Sequence, residues 1–131
     1  MDLSTLAKKR KSVRSFQGKK ASWKNILEAI DTTIQGPFAG NNNNLHFLII
    51  ENKEIIKEIA NFSEQIWMAE SGILVLILSD DMHLENIYGE RGRIYSRQQA
   101  GATIQTFLLA LTELNLDSCW VGAYSDELIK E

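Results

Sequence analysis

Several features are scarce in this sequence, and each scarcity excludes a class of protein. Cys119 is the only cysteine among 131 residues, which rules out a disulfide framework within the chain. His46 and His83 are the only histidines, and neither stands at metal-ligand spacing from Cys119. No apolar run approaches the roughly 20 residues that span a bilayer, and Met1–Leu6 lacks the apolar stretch of a secretory signal. The sequence therefore predicts a cytoplasmic protein with no metal site and no membrane-spanning segment.

Motifs for side-chain catalysis are missing as well. The chain has no nucleophile elbow and no phosphate-cradling glycine loop of the usual forms. A lone histidine is more often a structural or surface residue than a catalytic one, and Cys119 beside Trp120 is typical of a buried, inert thiol. We therefore predict no catalytic side chain. If the chain is an enzyme, a cofactor carries the chemistry.

The net charge is only −3, but the basic residues are concentrated at one end. The first 24 residues hold eight of the fourteen, and only Asp2 opposes them there. Such an asymmetry indicates that the N-terminal segment meets an anion, which on charge alone can be nucleic acid, a membrane surface or a small phosphate. A solvated basic helix is the other interpretation that charge leaves open. Length and a 44% hydrophobic composition predict one domain over residues 1–131.

Apolar spacing and turn signals divide the chain into helices and short strands. They predict helices over about 2–11, 23–35, 53–63 and 96–114, strands over 45–50 and 73–78, and an extended segment over 117–122. The predicted helix ends are an N-cap at Asp2 or Ser4, N-caps at Ser22 and Ser125, and a left-handed terminator at Asn115. The stretch that holds Tyr88–Gly92 is predicted to be irregular. Helices that alternate with a few strands indicate an α/β or α+β class.

The informative N-terminal stretch is Arg10–Phe16, with the sequence RKSVRSF. Arg10 offers a planar fork of donors and Ser12 a hydroxyl, groups that suit a phosphate monoester, and Arg14 can reach a second acceptor. Short basic runs are common, so this stretch alone does not identify a ligand.

The same stretch resembles the R-[RK]-S-x-R-x-F opening of nitroreductase-family flavoproteins. Four later stretches resemble family motifs in the same order, namely Pro37–Phe47, Gln65–Gly72, Tyr88–Gly92 with Gln99–Ala102, and Leu116–Gly122. The resemblance covers nearly the whole chain. It implies an α+β fold (an α/β three-layer sandwich) with a mixed, mostly antiparallel central sheet, flanking helices and a long central dimerisation helix.

The resemblance implies a homodimer that shares FMN at the subunit interface. By position, Arg10 and Ser12 hold the phosphate, Lys11 adds backbone contacts, and Arg14 lies near the pyrimidine edge of the ring. The remaining implied flavin contacts are Pro37, Phe38, Ala39, Asn41, Asn43, Gln65, Val121 and Gly122. The implied activity is a two-step transfer of hydride from NAD(P)H, a transient reductant, to a nitroaromatic, quinone or similar small molecule. Neither nucleic acid nor a membrane is an implied partner.

Departures from the family pattern keep other interpretations open. Phe38 replaces the usual serine, Asn43 replaces glutamine, Asn44-Leu45 replaces proline-tryptophan, and Ser71-Gly72 replaces alanine-proline. Family members also continue beyond the position of Glu131, so we expect a chain that lacks the C-terminal segment. The alternatives are a flavin enzyme for another acceptor, such as a peptide azoline or a halogenated aromatic, and a truncated or degenerate homologue. The degenerate homologue would be a dimeric scaffold or part of a split protein, with weak or no flavin binding.

Overall fold

A computed structural model describes all 131 residues. Its regular elements are six α-helices, two short 3-10 turns and two strands. The 3-10 turns are Ala39–Asn41 and Ile66–Glu70. The longer elements, in chain order, are α1 (Leu3–Lys9), α2 (Trp23–Thr33), β1 (Leu45–Ile50), α3 (Lys53–Phe62), β2 (Leu74–Ser79), α4 (Asp81–Tyr88), α5 (Glu90–Glu113) and α6 (Asp126–Lys130). No helix combines the length and apolarity that crossing a membrane requires.

Polar side chains set the helix ends, largely where the sequence predicts them. Asp2 accepts a hydrogen bond from the Thr5 amide at 2.8 Å and so begins α1. Ser22 and Ser125 begin α2 and α6 in the same way. Asn115 follows α5 with φ at 59°, the left-handed conformation expected of a helix terminator. The predictions of Asp2, Ser22, Ser125 and Asn115 are therefore confirmed.

The sequence prediction is wrong between the second strand and the long helix. Residues predicted to be irregular form α4 and the first turns of α5, which begins at Glu90 rather than near Ser96. Asp80 caps α4 by accepting from the His83 amide, and Gly89, with φ at 65°, lets the chain change direction between the two helices. Leu84 is the only buried residue of α4, so the segment shows little helical apolar periodicity.

β1 and β2 pair in antiparallel register, with Leu45 opposite Ser79 and Ile50 opposite Leu74. One face of this sheet packs on α2 and α5, through Ile49, Val75 and Ile77 against the cluster that contains Phe107. Its other face packs in part on α3. The predicted α+β class is confirmed. The predicted extended segment over 117–122 forms no strand and makes a single parallel bridge from Ser118 to Ser12.

Helices α4 and α5 pack closely because of a glycine and a carboxylate. A Cβ atom added to Gly92 would overlap the main-chain carbonyl of Leu84 and lie 2.6 Å from the Glu85 nitrogen. Asp81, the first residue of α4, accepts hydrogen bonds from the hydroxyls of Ser79 at 2.9 Å and Ser96 at 2.5 Å. The bond from Ser96 is the main reason that the pKa of Asp81 lies below its usual range.

We expect Gly92→Ala to destabilise the fold by about 2 kcal/mol or more, because the methyl group has no space against α4. On helix propensity alone the sign would be opposite, since alanine is favoured over glycine inside a helix by roughly 0.5–1 kcal/mol. Urea unfolding at low protein concentration measures the difference. Gly36→Ala, just after α2, is the control, because an added Cβ there meets its neighbours only at ordinary contact distances of 3.5 Å and more. A variant at Gly92 as stable as the wild type would contradict the close packing.

We expect Asp81→Asn to lower stability near neutral pH and to matter less in acid. The depressed pKa of Asp81 means that its carboxylate stabilises the fold above the unfolded-state pKa, about 3.9. That stabilisation is lost as the pH falls through the folded-state pKa. The asparagine oxygen still accepts from Ser96, so the substitution isolates the charge.

Urea midpoints between about pH 7 and pH 3 test this expectation. Asp31→Asn, which removes an exposed carboxylate from α2, is the matched control. A difference between wild type and Asp81→Asn that stays constant over this range would show that the charge makes no contribution.

Candidate functional site

The basic N-terminal segment, residues 10–14, lies against the chain that follows α5. Ser12 bridges to Ser118, and the amide of Val13 donates to the Ser118 carbonyl at 3.0 Å. One residue before the segment, Lys9 Nζ donates to Asn115 Oδ1 at 2.8 Å. These contacts fix the backbone of the segment while its side chains stay available. Lys11, Ser12 and Arg14 are exposed, and Arg10 is half-buried at the end of α1.

None of these cations is neutralised within the chain. The two ion pairs of the molecule join Lys20 to Glu51 and Arg93 to Glu85, so Arg10, Lys11 and Arg14 have no carboxylate partner. An exposed hydroxyl lies among them at Ser12. Cations without a carboxylate partner, beside an exposed hydroxyl, suit a phosphate, because charged donors make the strongest hydrogen bonds to it.

Three of the other predicted site residues lie beside this segment. Gln65 Nε2 donates to the Ala123 carbonyl at 3.1 Å, which ties the turn that precedes residue 66 to the residues after Gly122. Val121 is half-buried against the small cluster formed by α3 and Met68, and Gly122 is exposed. Phe16 stacks on Trp67 with 6.3 Å between ring centroids. We call residues 10–14, Gln65 and residues 118–123 the N-terminal half-site.

The asparagine loop, residues 37–44, is a separate structure. Gly40 and Asn41 both have positive φ, 56° and 58°. Asn42 folds back to donate to the carbonyls of Ala39 and Gly40, and Asn43 Oδ1 accepts from the Leu45 amide. The Asn41 side chain and the Asn43 Nδ2 group make no hydrogen bond within the chain, and both residues are exposed. Two amide groups therefore remain free to meet a ligand.

Gln99 of α5 holds this loop from beneath. Its Oε1 accepts from the Ala39 amide at 3.0 Å, and its Nε2 donates to the Asn42 carbonyl at 3.0 Å and to Asn44 Oδ1 at 2.7 Å. Asn44 in turn donates to Ser96 Oγ at 2.8 Å and to the Asp80 carbonyl at 3.0 Å. Asn44, Ser96 and Gln99 are almost fully buried.

The sequence motifs did not identify this buried network, although one signal was present. Along α5 the buried positions Gly92, Ser96, Gln99 and Thr103 follow helical spacing but are small or polar. Polar groups on a buried face need partners. Gln99 finds them in the loop and Ser96 in Asn44 and Asp81, whereas the Thr103 hydroxyl has no partner within the chain. In the sequence, Gln99 belongs to the family motif at Gln99–Ala102, and Asn44 is a departure from the family's proline. Neither feature predicts a buried hydrogen-bond network.

Tyr88 and His83 border the exposed side of the loop. A Cβ at Gly40 would overlap the Tyr88 hydroxyl, so that phenol lies directly over the glycine, and Tyr88 packs edge-on against Tyr95. His83 Nε2 lies 3.3 Å from Asn42 Oδ1. The loop residues Pro37 and Phe38 are exposed and half-buried respectively. A ligand on the asparagine loop would therefore meet aromatic and imidazole side chains as well as amides.

The remaining chemically notable residues form no further site. His46 is exposed, and no group of three or more histidine, cysteine or acidic side chains is placed to hold a metal ion. The expectation that Cys119 is buried is wrong, because the residue is half-buried and its thiol lies 3.9 Å from the Trp120 carbonyl oxygen. Its segment is held by one bridge and not by a sheet, which leaves it partly open to solvent.

The two groups of predicted site residues stay apart within one chain. The asparagine loop makes its hydrogen bonds to α4, α5 and itself, and none to the N-terminal half-site. Neither of the two main concavities, 690 Å³ and 730 Å³, is lined by a residue predicted to contact flavin. The 690 Å³ concavity, which is the more apolar of the two, lies between α3, α6 and the outer face of the sheet. In a single chain, the candidate site is thus two open surfaces and not a closed pocket.

Known proteins resemble this chain in sequence along most of its length. A protein of Methanothermobacter thermautotrophicus, provisionally named an NADH dehydrogenase/NAD(P)H nitroreductase, is 27% identical over 124 residues. The match covers 95% of this chain and 62% of that protein, so the chain spans less than two thirds of the relative's length.

Solved structures share the fold at lower identity. A nitroreductase family protein from Clostridium novyi NT superposes with a TM-score of 0.88 at 20% identity, over 99% of this chain and 74% of its own. An FMN-dependent nitroreductase from Clostridium difficile R20291 has a TM-score of 0.81 at 15% identity, over 98% of this chain and 76% of its own. The model of the Nitroreductase family matches residues 7–72 and 60–131. The chain belongs to the nitroreductase family.

Proposed function

We propose that this chain binds FMN and acts as an oxidoreductase that takes hydride from NAD(P)H. The acceptor in this proposal is a nitroaromatic, a quinone or a similar small molecule. Family membership supports an oxidoreductase, and the names of the relatives support NAD(P)H and FMN as its reductant and cofactor. The single observation that carries the proposal is the group of unpaired cations at residues 10–14, held against Ser118.

The N-terminal half-site fits the phosphate end of such a cofactor. Arg10 and Ser12 supply a guanidinium and a hydroxyl, and Lys11 supplies a further charge and its backbone amide. Because no carboxylate competes for them, a phosphate dianion would gain charge-assisted hydrogen bonds without displacing an existing ion pair. Val121 and Gly122 would then offer backbone groups to the flavin ring, and Gln65 would hold that backbone through Ala123.

FMN, when bound, supplies the hydride acceptance and donation that no side chain of this protein can provide. The role of Arg14 in this proposal is electrostatic, through the positive charge of its guanidinium. A fixed cation at the pyrimidine edge favours the negative charge that reduction brings there. Asn41 and Asn43 contribute neutral amides, which orient a ring without adding charge.

We propose that a second copy of the chain completes the site. Residues Ile94, Gln98, Gly101 and Gln105 follow helical spacing on the outer face of α5, and Ile94 is 55% exposed. Gly101 has nothing within 4 Å of an added Cβ, so another helix can approach it closely. Pairing through this face would let the asparagine loop of one subunit approach the N-terminal half-site of the other, which the separation of the two surfaces requires.

We expect the purified chain to bind FMN and to catalyse its reduction by NADH or NADPH. The visible absorption spectrum, recorded with and without added FMN, measures retention of the flavin. Flavin bands that bleach with NADH or NADPH and return with air or a quinone support the oxidoreductase. Failure to retain FMN, even at high added concentration, would contradict the proposal and favour a scaffold or one part of a split protein.

We expect Arg14→Ala to lower the reduction potential of bound FMN and to slow its reduction by nicotinamide. Loss of one fixed cation should shift the potential by on the order of 30 mV, equivalent to about 1.4 kcal/mol for a two-electron couple. The potential is measured by dye equilibration in flavin-loaded protein. Lys19→Ala is the matched control, because it removes an exposed charge of the same sign outside the half-site. Unchanged potential and rate in Arg14→Ala would remove this role.

A further inference from the structure

We propose that Gln99 is the positioning residue of the asparagine loop, and that it determines how the loop presents Asn41 and Asn43 to the cofactor. The inference rests on the proposed function, because the loop is the proposed contact to the flavin ring. Gln99 touches neither cofactor nor substrate in this proposal. It acts through the backbone of residues 39–44.

Every hydrogen-bonding group of the Gln99 side chain has a partner, and the partners fix its orientation. Both hydrogens of Nε2 are used, on the Asn42 carbonyl and on Asn44 Oδ1, and Oε1 accepts from the Ala39 amide. Rotating the amide by 180° would place oxygen against two oxygens and nitrogen against an N–H group. The side chain therefore has one satisfactory arrangement, and that arrangement defines the positions of Ala39, Asn42 and Asn44 together.

The network continues in one direction beyond Gln99. Gln99 donates to Asn44, Asn44 donates to Ser96, and Ser96 donates to the Asp81 carboxylate. A carboxylate accepts and never donates, so it sets the direction of the hydroxyl of Ser96 and, through it, the preference of the Asn44 amide. Hydrogen bonds in such a chain polarise one another, and the loop is thereby tied to both α4 and α5.

Packing alone does not account for this choice of residues. Asn44 is 3% exposed, Ser96 0% and Gln99 5%, and burying polar groups costs free energy unless every bond is made. Leucine at position 99 would fill a similar volume without that cost. What the polar network adds is a defined backbone for a loop with two successive left-handed residues, Gly40 and Asn41, a conformation that a free loop would seldom keep.

Gln99→Glu tests the mechanism through its pH dependence. As a carboxylate, the new side chain would face the Asn42 carbonyl and Asn44 Oδ1, two acceptors with no hydrogen between them. When protonated, it could donate to one of them again while still accepting from the Ala39 amide. FMN binding should therefore be weak at alkaline pH and recover as the pH falls, since burial favours the neutral form of the glutamic acid.

The charged groups near the network are the same in the wild type and in the variants, so the wild-type titration is the control for them. Asp80 and Asp81 approach from α4, Arg93 and Arg97 from α5, and His83 lies beside Asn42. The asparagine loop itself carries no charge. All of these groups are unchanged in the variants, so the wild-type curve over the same pH range reports their combined contribution.

The experiment is an FMN titration, followed by flavin fluorescence, of wild type, Gln99→Glu, Gln99→Leu and Gln35→Glu from about pH 5.5 to 8.5. We expect Gln99→Glu to bind on the order of tenfold more weakly than wild type at the alkaline end and to recover most of that loss at the acid end. Gln99→Leu should be weak at every pH. Gln35→Glu adds the same charge at an exposed position at the end of α2 and should follow the wild type.

Circular dichroism melts of each variant separate positioning from loss of the fold. Folded Gln99→Glu and Gln99→Leu variants that bind FMN like the wild type at all pH values would overturn the inference. So would a loss in Gln99→Glu that does not recover in acid although the protein stays folded. If either variant fails to fold, Ser96→Ala takes its place, since it breaks the network one step away, and unaltered FMN binding by that variant overturns the inference.

Failure of the proposed function is recognisable separately. If the wild type itself binds no FMN, the cofactor proposal fails whatever Gln99 does. Hydrogen exchange of the Ala39 amide, measured without flavin, then decides whether Gln99 sets the loop. We expect this amide to be protected in the wild type and to exchange faster in Gln99→Leu. Equal protection in both would overturn the positioning role.

Discussion

The asparagine loop depends above all on the three hydrogen bonds that one buried amide, Gln99, makes to it. They are made from α5, whose C-terminal half packs through Phe107 and Leu111 against the face of the sheet. The same buried stripe is polar toward the N-terminus of the helix and apolar toward its C-terminus. One helix therefore connects the hydrophobic core to the asparagine loop, and its hydrogen bonds restrict the conformations of that loop.

Much of the fold could be predicted from the sequence where local rules act alone. The apolar run of β1 and the caps at Ser22 and Ser125 lie where predicted, because their signals come from residues close in sequence. The first turns of α5 were missed because their buried positions are glycine, serine and glutamine, which show no apolar period. Helix formation there depends on tertiary partners that a local pattern does not contain.

The candidate site, too, could be predicted only where local sequence carries the signal. The basic segment could be found from its motif, but its neighbour could not, since the contact between Ser12 and Ser118 joins distant parts of the chain. Asn44 looked like a simple departure from a family pattern. Its burial and its bonds to Ser96 and Gln99 become visible only when β1, α4 and α5 are assembled.

The bridge between the N-terminal segment and the residues after α5 also bears on the order of folding. Lys9 and Asn115, which join beside this bridge, are 106 residues apart in sequence. Closing so long a loop costs more conformational entropy than forming a local helix or hairpin does. Contacts of this kind therefore form late. During synthesis residues 10–14 leave the ribosome long before Ser118, which is their neighbour in the folded chain. Until then this most basic part of the sequence lacks its contact with Ser118, and its charges attract polyanions.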